Sequence, residues 1–395
     1  MKEMALKDNW NRYHVPIIII LGLLINFFLY QKFGVQIVSD SHRYIALPPI
    51  PSMEFGIDKN FWYVGYTFFV LAADCLLTSQ LDVIIFQVII YCISLIFIYF
   101  TSFKLFENTN TAFLTTLTYL AFLDITQWNF YILAESFYVS FVVIITYFIL
   151  SFNRNVKSLF IIVPLILYCF FIKPTGFSIL VAFATLVVSV FWEELTKKRL
   201  AFSIICLLIM TSGFFLLNKM LATFIESIIY NDYQYGELIY GIHHYPDIPT
   251  YNLLIIREDD LTFPSAEAAP LFRIAEFAIR NPFYFIKLFS AKAFYLLFQV
   301  RPYYSLPHNV YLLGILIPVY AGFIISVSKS RLPGRVILFA LVFILTHTGI
   351  VCLTTVDWDG RFLLPMLPLI FIIGVPSLIE LVKKIFHKET ALKRL

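Results

Sequence analysis

Val15-Pro-Ile-Ile-Ile-Ile-Leu-Gly-Leu-Leu-Ile-Asn-Phe-Phe-Leu-Tyr30 carries no charge, and shortly after it the chain turns polar at Ser39-Asp40-Ser41-His42-Arg43-Tyr44. The apolar run is a little short of the about 20 residues that cross a bilayer, so its flanks must extend it. The whole chain has the same character: 60% of its residues are hydrophobic, 18% aromatic and only 14% charged. Soluble domains run at about 45–50% apolar and about 25% charged, so this composition specifies an all-α polytopic membrane protein. A net charge of +4 is too small to direct the chain to nucleic acid. Lys2, Lys7 and Arg12 precede the first apolar run and assign the N-terminus to the cytoplasmic side. No small-residue cleavage site follows Tyr30, so the run reads as an uncleaved signal anchor. The five cysteines (Cys75, Cys92, Cys169, Cys206, Cys352) all lie in apolar stretches with no CxxC pair. They read as small hydrophobic packing residues.

Alternation of apolar runs with basic and acidic loops predicts about ten spans with both termini cytoplasmic. Residues 1–217 form an N-terminal transmembrane module. Its first external loop, 31–60, holds Asp40 and Pro48-Pro49-Ile50-Pro51, which is incompatible with helix interior. Residues 61–78 are aromatic but contain Asp74 and read as a helix in the outer interface. Spans follow at Val83–Phe103, Thr111–Leu123, Leu133–Ser151, Val156–Ile172, Phe177–Trp192 and Leu200–Leu217, with Lys197-Lys198-Arg199 inside. Residues 218–300 form a small external cap. They end in a second interfacial helix, Phe283–Val300, whose internal Lys287 and Lys292 disfavour a span. Residues 301–395 add Val310–Val327, Val336–Thr354 and Leu363–Val382, then a basic tail containing Lys393 and Arg394. With this arrangement the inner loops are net positive and the outer ones net negative. Letting either interfacial helix cross would break that asymmetry.

The same arrangement gathers Asp40, Arg43, Glu135, Lys173, Arg301, Asp357, Asp359 and Arg361 at the outer rim. Ionisable groups beside apolar segments are costly unless paired or used. Carboxylates mixed with cations suit transfer of a sugar from a lipid phosphate. One carboxylate deprotonates an acceptor hydroxyl, and Arg or Lys stabilises charge developing on the leaving phosphate.

In ordered motifs the chain resembles the C-type membrane glycosyltransferases that use polyprenyl-phosphate sugars, such as protein O-mannosyltransferases and aminoarabinose transferases. The motifs are Asp40 with Tyr44, an aromatic stretch Trp62-Tyr63-Val64-Gly65-Tyr66-Thr67, Ala134-Glu135-Ser136, the turn Lys173-Pro174-Thr175-Gly176, and Arg361-Phe362-Leu363-Leu364-Pro365-Met366-Leu367-Pro368. The aromatic stretch lacks the prolines of the family's PGYP-like motif, and the first loop has one acidic residue where some relatives have two adjacent ones. The sugar and the acceptor therefore stay open.

The resemblance implies a GT-C-like fold and an inverting glycosyltransferase at the outer face of the cytoplasmic membrane. Asp40 would be the base, with Glu135 a second active-site carboxylate. Arg43, Lys173, Arg301 and Arg361 would bind the lipid phosphate, while Tyr44, His243 and His244 are candidates for substrate contacts. The donor would be a polyprenyl-phosphate-linked sugar, and the acceptor a glycan, lipid or protein. No cofactor is certain; a divalent metal held by His243-His244 with Asp232 or Asp247 is the less favoured alternative, since adjacent histidines without HxxxH spacing are a poor metal site. Arg361 has a second reading, an ion pair with Asp357 or Asp359. His347 reads as hydrogen-bonded within the bundle. A polymerase or ligase of lipid-linked glycans is the alternative enzyme, and it would put the chemistry on Arg257 or His243 in the long loop. A transporter would need mid-span charges and repeated halves, which the sequence lacks.

Overall fold

The computed structural model describes residues 2–45, 59–77, 79–197, 199–224 and 230–392. Pro48-Pro49-Ile50-Pro51, Lys198, Lys393 and Arg394 lie outside them. Among the described residues the molecule is helical, with two isolated bridges as the only β pairing. In chain order the helices are α1 (Lys2–Phe33), α2 (His42–Ile45), α3 (Val64–Leu77), α4 (Gln80–Phe106), α5 (Thr109–Leu120), α6 (Leu123–Thr126), α7 (Ala134–Leu150), α8 (Val156–Ile172) and α9 (Phe177–Val190). They continue with α10 (Trp192–Lys197), α11 (Arg199–Ala222), α12 (Tyr230–Tyr235), α13 (Pro270–Arg280), α14 (Pro282–Phe298), α15 (Leu306–Ser328), α16 (Gly334–Leu353) and α17 (Leu367–Leu392).

Among the described residues, four helices are long and apolar enough to cross a membrane: α1 from Asn11, α4, α15 and α16. By length and composition this is a helical membrane protein. The other spans of the ten-span reading fall on shorter apolar helices or, for α11 and α17, on helices whose side chains are described only in part. The 12 residues of α5 rise only about 18 Å against an apolar bilayer core of about 30 Å. Its hydropathy continues through Phe122 and Leu123, but the helix stops at Leu120, so the apolar run is longer than the helix it forms. Helix α3, read as interfacial, has 14 residues and is likewise too short to cross unaided.

One continuous core joins α1, α3, α4, α5, α7, α8, α9, α15, α16 and α17. Its closest crossing is α15 on α17, where Gly322 and Gly374 face each other's helices. A Cβ on Gly374 would collide with the Val319 carbonyl, and one on Gly322 with the Gly374 carbonyl. Ser326 reinforces the crossing by donating to the Ile373 carbonyl at 2.7 Å. Small residues at such contacts let helices approach where lipid offers no hydrophobic drive. Cys92, Cys169 and Cys352 are buried and unpaired.

A buried polar network fixes one end of the bundle. Asn129 donates to Asn26 on α1 at 2.7 Å. Gln87 on α4 donates to the Asn129 and Tyr131 carbonyls and accepts from Tyr66 on α3. Every partner is satisfied inside the protein, as buried amides require. Among the described residues of 218–300, a separate apolar cluster forms around Tyr233, Ile239, Leu254 and Phe277. Lys292, whose charge suggested an interfacial α14, is instead fully buried against Asp232 of α12 at 2.7 Å. Its ammonium also donates to the Thr354 carbonyl at 2.9 Å, tying the cap to the end of α16, and of the two lysines of α14 only Lys287 is exposed.

Candidate functional site

Three chain segments meet at one end of the bundle. The first-loop segment is held to the α6–α7 connection by backbone: the Gln36 N–H donates to the Phe130 carbonyl at 2.8 Å, and the Ile132 N–H donates to the Gln36 carbonyl at 3.1 Å. This brings Asp40, on the helical turn before α2, beside Glu135 in the first turn of α7. The second segment is Lys173-Pro174-Thr175-Gly176 between α8 and α9. A Cβ at Gly176 would lie 2.7 Å from the Cys169 carbonyl. Glycine is therefore what lets this turn fold back on α8 and aim Lys173 inward. The third is the loop after α16. Asp357 accepts from the backbone N–H groups of Asp359 (3.2 Å), Arg361 (2.7 Å) and Phe362 (3.2 Å). Gly360, at φ 73, supplies the left-handed residue that closes the turn.

The result is a chain of alternating charge. Lys173 Nζ donates to Glu135 Oε1 at 2.8 Å, and Arg361 Nη1 lies 3.6 Å from the same oxygen. Both Arg361 terminal nitrogens donate to Asp40 Oδ2 at 3.3 Å. Arg43 completes the series, 3.8 Å from Asp40 Oδ1, and rests over the Tyr63 ring. The Lys173 and Glu135 side chains are only 3% and 7% exposed, whereas that of Asp40 is 39% exposed. Charges this deep are tolerated because each has an opposite partner. Burial is the largest single influence on both Lys173 and Arg361 and works against their charged forms, but the net directions differ. For Lys173 the repulsion of Arg361 adds to burial, and its ammonium stays below the usual value despite Glu135. For Arg361 the carboxylates of Glu135, Asp357, Asp40 and Asp359 outweigh burial and lift it above the ordinary guanidinium range.

The charge chain runs between two cavities of opposite character. One, of about 360 Å³, is polar and lined by Asp40, Arg361, Asp124, Asp359, His308 and Tyr304, among others. Burial and the neighbouring Asp357 raise the Asp359 carboxyl. Asp124 pairs with His308 at 3.4 Å; burial raises its carboxyl, with His308 pulling the other way. The second cavity, of about 110 Å³, is lined by Met220, Leu221, Phe224, Ile350, Val351 and Phe362 among others, with Lys173 its charged residue. Lys173 sits 4.6 Å from the centre of the Phe362 ring.

Of the residues expected at the site, Asp40, Arg43, Glu135, Lys173 and Arg361 converge. Tyr44 lies beneath them, buried, with its ring edge-to-face on Tyr66 at 4.7 Å. Arg301 differs from expectation. It is fully buried and donates to the Tyr295, Val300 and Asp357 carbonyls, so it braces the Asp357 loop from behind and has no contact with either cavity. His243 and His244 are not brought to the cluster. His243 Nδ1 lies 2.5 Å from Glu237, with the Tyr235 ring stacked on it at 4.0 Å and the His244 ring tilted against it at 3.9 Å. The second reading of Arg361, an ion pair with Asp357 or Asp359, gives way to contacts with Asp40 and Glu135, because the Asp357 carboxylate is committed to backbone N–H groups. His347 lies 2.8 Å from the Phe362 carbonyl and steadies that loop, as a bundle histidine should. Among the described residues no three His, Cys, Asp or Glu side chains are grouped to hold a metal. Asp124 and His308 were missed as a pair, since they lie 184 positions apart and nothing in the sequence signals their meeting.

No protein-family model, curated protein or solved structure matches the chain.

Proposed function

We propose that the chain is an inverting glycosyltransferase that moves a sugar from a polyprenyl-phosphate donor to an acceptor hydroxyl, with a GT-C-like arrangement of about ten spans, at the outer face of a cytoplasmic membrane. The observation that carries this reading is the bipartite site. An apolar cavity with one ammonium and a polar cavity with a half-exposed carboxylate are joined by one continuous run of paired charges. A lipid-linked donor has the same polarity, with apolar tail, phosphate and sugar in sequence.

In this reading the donor's lipid end lies against Phe362, Met220 and Val351, and its phosphate approaches Lys173 and Arg361. Asp40 accepts the proton of the acceptor hydroxyl in the polar cavity. The hydroxyl oxygen attacks the anomeric carbon, the bond from that carbon to the phosphate oxygen breaks, and its electron pair leaves with the polyprenyl phosphate. Because phosphate departs as a stable anion, no general acid is needed. Glu135 is then a positioning residue rather than a second catalytic group: it is nearly inaccessible and holds Lys173 and Arg361 in register. The acceptor side carries three carboxylates (Asp40, Asp124, Asp359) against one guanidinium and one imidazole. That lining disfavours an anionic acceptor.

The test is transfer by the purified protein. Incubation with a polyprenyl-phosphate sugar labelled in the sugar, plus candidate acceptors, should release free polyprenyl phosphate in step with labelled product. Release of polyprenyl phosphate with no glycosylated product, or transport of the intact lipid across liposomes without any covalent product, would overturn the reading.

A further inference from the structure

A second cavity complex lies at the opposite end of the helices that build the site. Glu135 starts α7, the Lys173 turn precedes α9, and Asp357 follows α16. The other ends of these same three helices converge on an open cavity of about 550 Å³ lined by Asn153, Arg154, Ser189, Val190, Arg335 and Leu338, among others. The loop after α7 forms one wall, the end of α9 another, and the start of α16 the third.

The charge here is organised differently from that of the site. Arg335 is exposed, and its guanidinium donates to Asn153 Oδ1 at 3.0 Å and to the Phe152 carbonyl at 3.4 Å. Lys104, at the end of α4, is also exposed and donates to Ser151 at 2.7 Å on the same loop, with its ammonium 5.7 Å from the centre of the Tyr147 ring. Lys104 and Arg335 stand near enough to repel each other. Among the described residues neither has a carboxylate in salt-bridge contact. At the functional site every buried cation is matched by an acid. Here two cations are held by neutral acceptors on one loop: Arg335 lines the open cavity, whose apolar walls include Val190 and Leu338, and Lys104 lies outside that lining on the Ser151 side of the loop. Like charges held together by neutral groups leave an unmet demand for an anion, and basic recesses between membrane helices answer it with lipid head groups.

We propose that this cavity binds the phosphate of an anionic phospholipid in the leaflet opposite the transfer site, with Arg335 as the phosphate-holding residue, Lys104 adding positive charge from the adjoining loop, and Val190 and Leu338 against the first part of an acyl chain. The inference is independent of the glycosyl-transfer reading. Its site touches neither transfer cavity, and its test needs no turnover.

The full-length protein, purified and stripped of lipid in a neutral detergent, is titrated with phosphatidylglycerol, with phosphatidylcholine of the same chains, and with inorganic phosphate. Bound lipid is read by native mass spectrometry and by the midpoint of thermal unfolding. Phosphatidylglycerol should bind in preference and raise the midpoint, and phosphatidylcholine and phosphate should not. The double variant Lys104→Gln/Arg335→Gln should lose about tenfold in apparent affinity for phosphatidylglycerol. The charge-keeping pair Lys104→Arg/Arg335→Lys should retain the preference and shows that any loss is not misfolding. Equal binding of the two lipids, or unchanged affinity in the Gln variant, would overturn the site. A response to inorganic phosphate equal to that to phosphatidylglycerol would overturn its assignment to a lipid.

Discussion

The Lys173–Glu135 pair should show a strong and asymmetric coupling. Glu135→Leu leaves a lysine ammonium that is 2% exposed with its one close carboxylate gone. Removing one partner of a buried pair costs about 3–5 kcal/mol, and this variant belongs at the upper end. Lys173→Met should cost less, about 3 kcal/mol, because Arg361 still stands 3.6 Å from the Glu135 carboxylate. The double variant leaves neither charge stranded, and Arg361 keeps Asp40 as its partner. Its cost should therefore fall below the sum of the singles by about 2–3 kcal/mol. Unfolding in mixed micelles, titrated with denaturing detergent and followed by tryptophan fluorescence, gives all corners of this cycle. Costs that add to within about 0.5 kcal/mol would refute the claim that these two charges form one buried unit.

Other consequences are open to direct measurement. Asp232 keeps its proton up to about 7, chiefly through burial, while the same side chain in an unfolded chain releases it near 3.8. Between those values the native state holds more protons, so the stability of the cap should fall as pH rises from about 4 to about 7. Hydrogen exchange across residues 230–256 should show that slope, and Asp232→Asn should flatten it. Gly374→Val must force α15 and α17 apart and should cost about 1–3 kcal/mol, lowering the thermal midpoint in detergent; an unchanged midpoint would mean that the crossing is not tight. The three carboxylates of the polar cavity predict that a neutral sugar acceptor outcompetes its uronic-acid counterpart by at least about tenfold, with Asp359→Asn narrowing the gap. An equal rate for both acceptors would remove that argument.

Much of the charged rim was legible from sequence because hydropathy alternation and loop charge put its residues at the same ends of their helices. Asp40, Arg43, Glu135, Lys173 and Arg361 were each visible as a charge at the edge of an apolar run, where an unpaired group is costly. Which charge meets which was not legible. Asp357 looks like a partner for Arg361 from its position four residues away, but its carboxylate is taken by backbone N–H groups of its own turn. Arg301 looks like a rim cation, yet the carbonyls that surround it lie in a neighbouring turn and a distant loop. Lys292 argued for an interfacial α14 only because its partner, Asp232, lies sixty residues earlier in a segment with no helical periodicity to announce it. Helix lengths were legible only in part. Apolar runs mark where a chain can be buried, whereas helices such as α5 end where turns begin.

The central claim is that acceptor activation takes place at Asp40 and not in the cap, and initial rates of sugar transfer by matched variants test it most directly. Asp40→Asn should reduce the rate by about 10²–10⁴-fold with folding and expression preserved. His243→Ala and Arg257→Ala, at residues that line a separate cavity in the cap together with Tyr235 and Glu258, should leave it within a few-fold of the parent. Full activity in Asp40→Asn, or a greater loss in either cap variant, would contradict the account.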